Sequence, residues 1–173
     1  MRFLILPKRS LLCAALIALS AVLVAAGLGR QYQTSSASNT GERKIPVYCV
    51  DTNEKKIAIT FDAAWGADDT DELLAILAEY NAKATVFAVG DWVRQNPDAV
   101  KAFYEAGHTI ANHSDTHKAY SKLSYEEIKA DIQRCNAEIE KCIGKAPALV
   151  RVPSGDYTND AINAAENLSM QTI

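Results

Sequence analysis

The chain has 173 residues, 49% of them hydrophobic and 23% charged, with a formal net charge of −3. That length builds one domain with a real core and is too short for two large ones. The first thirty residues hold four of the 18 basic groups and no acid, so 14 basic and 21 acidic groups remain beyond them, a net of −7. A portion that acidic offers no basic patch to displace counterions from phosphates, which argues against a nucleic-acid partner.

In chain order, Arg2, Lys8 and Arg9 precede an uncharged run from Leu11 to Leu28, and Arg30 closes it. Such a run is just long enough to cross the hydrocarbon layer as a helix, and its basic N-terminal flank places that end in the cytoplasm. Residues 1–30 are therefore expected to be a signal-anchor or transmembrane segment. Val24–Ala26 offers small residues to a signal peptidase, in which case the protein is secreted, but the run is long for a cleaved signal. Residues 31–44 are polar and aperiodic at their start and are read as a flexible tether. The remainder, 45–173, is then an extracytoplasmic domain.

Within that domain short apolar runs alternate with helical patterns. Strands are expected at Ile45–Val50 and Lys56–Phe61, then a helix over Asp69–Tyr80 with Leu73, Leu74, Ile76, Leu77 and Tyr80 inward and acids in its first turn. A strand follows at Ala84–Val89. Asn96-Pro97 opens the next helix, which turns Val100 and Phe103 inward and ends at Gly107. His108–His113 reads as a strand. Ser124-Tyr-Glu-Glu127 has the form of a capping box, and Ile128, Ile132, Cys135, Ile139 and Ile143 form one apolar stripe before Gly144. The charges from Glu126 to Lys141 read as the solvated face of that helix. Ala148–Val152, Thr158–Asn167 and Ser169–Ile173 read as strand, helix and strand. Cys49, Cys135 and Cys142 read as small buried residues, because the last two stand about 10.5 Å apart along one helix.

Alternating strands and helices predict parallel strands with right-handed crossovers, in a barrel or an open doubly wound sheet. In either, functional groups gather at the carboxyl ends of strands. Asp62 stands at one such end, His113 at another and Arg151 at a third. An unpaired carboxylate closing an apolar strand is costly, so Asp62 is either a working group or a cap for the following turn. Arg151 inside an apolar strand needs an anion, and Asp62 is the obvious one. His113 and His117, four apart, can turn toward one metal ion or bond to the loop Ser114–Thr116 between them. Trp65 either stacks on a pyranose ring or packs in the core. His108 and Trp92 are read as structural.

Thr60-Phe-Asp62, His113-Ser-Asp-Thr-His117 and Arg151-Val-Pro-Ser-Gly155 resemble, in order and spacing, the first three motifs of the polysaccharide deacetylases, the NodB-homology domains of carbohydrate esterase family 4. The stretch Ile59–Gly66 looks most like the sporulation-associated branch. The resemblance implies an α/β fold, a distorted (β/α) barrel incomplete at its C-terminus. It implies metal-dependent removal of N-acetyl groups from N-acetylglucosamine or N-acetylmuramic acid units of cell-wall or spore-cortex glycan. Asp62 would be the general base and Arg151 its orienting partner. His113 and His117 would hold a divalent metal, zinc by expectation, and Trp65, Pro153, Ser154 and Gly155 would contact substrate, with the Ser154 N–H on the developing oxyanion. Two departures stand out: Ala63 replaces a second aspartate that binds the metal, and Ser154 replaces an aromatic wall of the sugar groove. The resemblance places an acidic residue and a catalytic-acid histidine beyond Ile173. The alternative is a weak or inactive member that binds glycan in spore or cell-envelope assembly.

Overall fold

The computed structural model describes residues 42–173. The apolar run 11–28 and most of the expected tether lie outside the described residues. Among the described residues, no helix is long and apolar enough to cross a membrane.

Five parallel strands form one sheet in chain order: β1 (Ile59–Ala63), β2 (Ala84–Ala88), β3 (Thr109–Asn112), β4 (Leu149–Val150) and β5 (Gln171–Thr172). A doubly wound sheet reverses its strand order part-way, whereas a (β/α) barrel adds each strand beside the last. The sequential order here is the barrel arrangement. Its connections are the helices α1 (Thr70–Glu79), α2 (Gly90–Gln95), α3 (Pro97–Glu105), α4 (Tyr125–Ile143) and α5 (Asn159–Asn167).

Side chains alternate across a strand, so the register sorts them into two faces. Ala63, Ala88, Asn112 and Val150 lie in one row and face the helices. There Asn112 donates to the Ile132 carbonyl of α4 at 2.9 Å. Two apolar clusters fill this side. Val86, Val89, Trp92, Val100, Phe103 and Ile139 join the sheet to α2, α3 and α4. Ile128, Ile132, Val150, Ala161 and Ala165 join it to α4 and α5. Asp62 and Phe87 occupy the opposite row. By the same alternation His113 and Arg151, each one residue past its strand, share that inner face.

The long helix α4 follows its sequence signals closely. Ser124 Oγ accepts from the Glu127 N–H while the Glu127 carboxylate accepts from the Ser124 N–H at 2.8 Å, and Gly144 closes the helix at φ +69°. Three expectations are corrected. Ile45–Val50 is not a strand but an irregular strap, tied to the sheet by the Val47 N–H donating to the Thr172 carbonyl at 2.9 Å. Ile76 and Tyr80 are exposed, and only Leu77 of the α1 stripe is fully buried, because the sheet covers a narrower arc of that helix than the apolar pattern suggested. Cys49 is exposed, while Cys135 is buried with its Sγ against the Ala88 carbonyl. The short helix α2 was missed. Six residues make too few turns for a periodic signal, and Gly90 at its start reads as a breaker.

Candidate active site

Asp62, His113 and Arg151, distant in sequence, meet at the carboxyl ends of the strands. Arg151 reaches back over Phe87, its guanidinium carbon 4.0 Å from the ring centroid. Its Nη1 donates to Asp62 Oδ1 at 2.7 Å and to Thr60 Oγ1 at 3.1 Å. One carboxylate oxygen is thus committed to a charge-assisted bond that fixes the group's orientation. The other, Oδ2, faces His113 Nε2 at 3.9 Å.

His113 is almost fully buried, and its Nδ1 lies 2.9 Å from the Arg151 carbonyl. A carbonyl can only accept, so Nδ1 carries the proton and Nε2 presents a lone pair toward the site. Burial pushes the His113 pKa below the ordinary histidine value, against the opposing influence of the Arg151 carbonyl and Asp62. The ring is therefore neutral at physiological pH.

The loop behind His113 is tightly pinned. The Asn112 side-chain oxygen accepts from the Ser114 N–H at 2.7 Å, and Ser114 Oγ accepts from the His117 N–H at 2.8 Å. Ser114 and His117 adopt left-handed φ values of +69° and +56°, a conformation that costs a non-glycine residue about 1 kcal/mol or more. Asp115 is buried and bridges Arg94 of α2 at 2.8 Å and Arg134 of α4 at 3.0 Å. Its own N–H donates to Asp131, whose Oδ2 also accepts from the Tyr120 hydroxyl. Asp131 is only 1% exposed, which corrects its reading as part of a solvated face. Its signal was legible: Asp131 falls three positions after Ile128 and one before Ile132, inside the apolar stripe.

The cleft in front of these groups has a volume of about 380 Å³ and is lined by Asp62, His113, Arg151, Ser154 and Gly155. Ser154 takes a left-handed φ of +56° in the turn after β4 and is exposed at the cleft mouth. Pro153 is buried beneath that turn and does not line the cleft. His117 lies beside the cleft, its ring 5.0 Å from that of His113. Trp65 is 84% exposed and tilts over His117 at 5.7 Å, so it is a surface aromatic and not core. The loops bearing both line a neighbouring hollow of about 270 Å³. Two further lining groups, Tyr48 and Tyr157, escaped the sequence reading. Tyr48 comes from the strap, whose apolar pattern predicts a strand, and Tyr157 lies just beyond the third motif.

The donor set can be compared with a metal's needs. Two imidazoles, those of His113 and His117, supply at most two of the four donors of a tetrahedral zinc site. Among the described residues no group of three His, Cys, Asp or Glu side chains is placed to hold an ion. Ala63 turns its methyl to the apolar cluster of Val86, Ala88 and Trp92. The residues present do not fit the closed set of protein ligands that the resemblance implied.

The polysaccharide deacetylase family model matches residues 50–173. The chain belongs to the polysaccharide deacetylases. It is 40% identical over 125 residues to a peptidoglycan-N-acetylglucosamine deacetylase of Bacillus cereus, covering 72% of this chain and 58% of the relative. It is 29% identical over 127 residues to the peptidoglycan-N-acetylmuramic acid deacetylase PdaA of Bacillus subtilis, covering 73% and 48%. Among solved structures it superposes on a mutant of BA3943, a family 4 pseudoenzyme of Bacillus anthracis with restored enzymatic activity. That match has a TM-score of 0.72 and 33% identity, covering 75% of this chain and 47% of the other. The chain spans about half the length of the relatives it matches. Deacetylases of this family are generally metal-dependent.

Proposed function

We propose that the domain binds N-acetylated amino sugars of peptidoglycan in the Asp62 cleft and that its reaction is hydrolysis of the N-acetyl amide. The observation that carries this reading is the Asp62–Arg151 pair, with one carboxylate oxygen held at 2.7 Å and the other left facing the cleft. In this reading Asp62 Oδ2 takes a proton from water, and the water oxygen attacks the amide carbon. Arg151 keeps the carboxylate aimed, which places the base within reach of the water's proton. The Ser154 N–H donates to the oxygen that gains charge, the kind of contact worth a few kcal/mol in acyl transfer. Cleavage of the C–N bond passes the proton held by Asp62 to the leaving nitrogen and yields acetate and the free amino sugar. The neutral Nε2 of His113 borders the same space.

A second reading, binding of glycan with weak or no hydrolysis, is favoured by Ala63 and by the two-imidazole donor set. Zinc is the ion the His113–His117 pair would suit best, held weakly. Residues 1–30 as an anchor, 31–44 as a tether and an extracytoplasmic or secreted position for 45–173 belong to the same proposal, as does a role in spore or cell-envelope assembly. They rest on the sequence alone.

The decisive assay is acetate release by the full chain from purified peptidoglycan, with and without added zinc, beside Asp62→Asn. Hydrolysis abolished in Asp62→Asn with unchanged circular dichroism supports the base role, and undiminished hydrolysis removes it. Glycan binding without acetate release in the parent chain selects the second reading.

A further inference from the structure

The strap over residues 42–48 places chemistry at the cleft that the deacetylation reading does not use. It is held at several points. The Lys44 N–H donates to Asn159 Oδ1 at 2.9 Å, Asn159 Nδ2 donates to the Glu42 carbonyl at 3.3 Å, and the Lys44 ammonium pairs with Glu166 of α5. So anchored, the strap sets Tyr48 against Tyr157 on the wall of the cleft that holds Asp62 and Arg151. Tyr48 remains 72% exposed. Arg43 Nη2 donates to the Tyr157 hydroxyl at 3.2 Å, and its guanidinium carbon stands 5.5 Å from the Tyr157 ring centroid. Among the described residues Arg43 has no carboxylate partner; a phenol and a π face are what hold it.

An exposed phenol ring, Tyr48, and a half-buried one, Tyr157, beside the cleft provide apolar surface for a pyranose and hydroxyls for its polar groups. A guanidinium held over one of them keeps donors free for a carboxylate. Ser154 leaves the third-motif position without a ring, and Tyr157, three residues on, lines the same cleft. We infer that Tyr48, Tyr157 and Arg43 form a subsite for an N-acetylated amino sugar carrying a carboxylate substituent, the N-acetylmuramic acid unit of peptidoglycan. This rests on the reading of the cleft as a glycan site and adds which sugar it prefers.

The test is calorimetric binding of the full chain to three peptide-free tetrasaccharides. These are the alternating N-acetylglucosamine–N-acetylmuramic acid oligomer, its lactyl methyl ester, and N-acetylchitotetraose. The free acid is expected to bind up to about fivefold tighter than its ester at low ionic strength, as an exposed charge pair allows. Added salt should shrink that ratio. Arg43→Gln should bring the acid-to-ester ratio close to one. Replacing Tyr48 and Tyr157 together by Ala should weaken all three ligands several-fold, with circular dichroism confirming the fold. Equal binding of acid and ester, a ratio that survives Arg43→Gln, or affinities indifferent to the tyrosine pair would each overturn the subsite while leaving the cleft as a glycan site. Failure of the parent chain to bind any of the three would instead refute the glycan reading itself.

Discussion

Gly90→Ala is a sharp test of how the histidine loop is held. A glycine at the first position of a helix ordinarily gains up to about 1 kcal/mol on becoming alanine, through loss of backbone freedom in the unfolded chain. At Gly90 the sign should reverse. A methyl there would overlap Asp115 Oδ1 and come within 3.1 Å of the Asp115 Cα and carbonyl oxygen. Rotating the carboxylate cannot relieve the two backbone contacts, so the loop itself must move. That loop is tied to α2 by the Gly90 N–H on the Ser114 carbonyl at 3.0 Å and the Asp91 N–H on the Asp115 carbonyl at 2.9 Å. Overpacking of this kind costs about 1–3 kcal/mol. Displacing Oδ1 from Arg94, whose side chain is 36% exposed, adds at most about 1 kcal/mol. The two terms sum to an expected destabilisation of about 1–4 kcal/mol by urea unfolding. In an Asp115→Ala background the penalty should fall, because the overlap with Oδ1 is gone and only the backbone contacts remain. A Gly90→Ala protein as stable as the parent, or one with the same penalty in both backgrounds, would refute this account of the loop.

Ala63→Asp puts a carboxylate against the apolar cluster of Val86, Ala88 and Trp92 and should destabilise the domain by about 1–3 kcal/mol; a lowered urea midpoint reads this directly, and an unchanged midpoint would show that residue 63 does not face the helices. His108 accepts the Ala84 N–H on its Nδ1 at 3.2 Å, and burial with the nearby Lys83 holds its pKa below the ordinary 6.5. Its contribution is therefore complete above the unfolded pKa and lost as pH falls below about 6.5; unfolding free energies at pH 8 and pH 5 should differ less in His108→Leu than in the parent, and equal differences would count against it. Ser124→Ala should cost about 1 kcal/mol by removing the acceptor of the capping box, measured as a shift in urea midpoint with no change in slope.

What could be read from the sequence was whatever a local pattern encodes. The α4 stripe, its capping box and the Gly144 stop are set within a few residues of one another and came out nearly as expected. So did the meeting of Asp62, His113 and Arg151, because strands added in order with right-handed crossovers bring their carboxyl ends together whatever the exact register. The strap reads as a strand because Ile45, Val47 and Cys49 alternate as a strand would, yet a single backbone bond to Thr172 is all the ladder they make. Asp131 was misread for a related reason. A carboxylate among charges looks solvated until Tyr120 and the Asp115 N–H, contributed from before the helix, join Arg134 one turn on to satisfy it.

Strand alternation also separates two consequences of a single substitution in this family. Thr60, Asp62, Phe87 and Arg151 belong to the inner face, and every contact that aims the carboxylate is made among them. Ala63 sits one residue on, in the row that faces the helices, with its methyl in the apolar cluster. A metal donor can therefore be absent at position 63 without removing any bond that orients Asp62 or shapes the cleft wall. Asp62, Arg151 and Phe87 form a unit that depends on sheet register, whereas residue 63 reports to the helix side of the sheet. In the proposed reading, loss of hydrolysis and loss of glycan binding are thus expected to arise from different positions, the first from Asp62 and the second from the tyrosine rim.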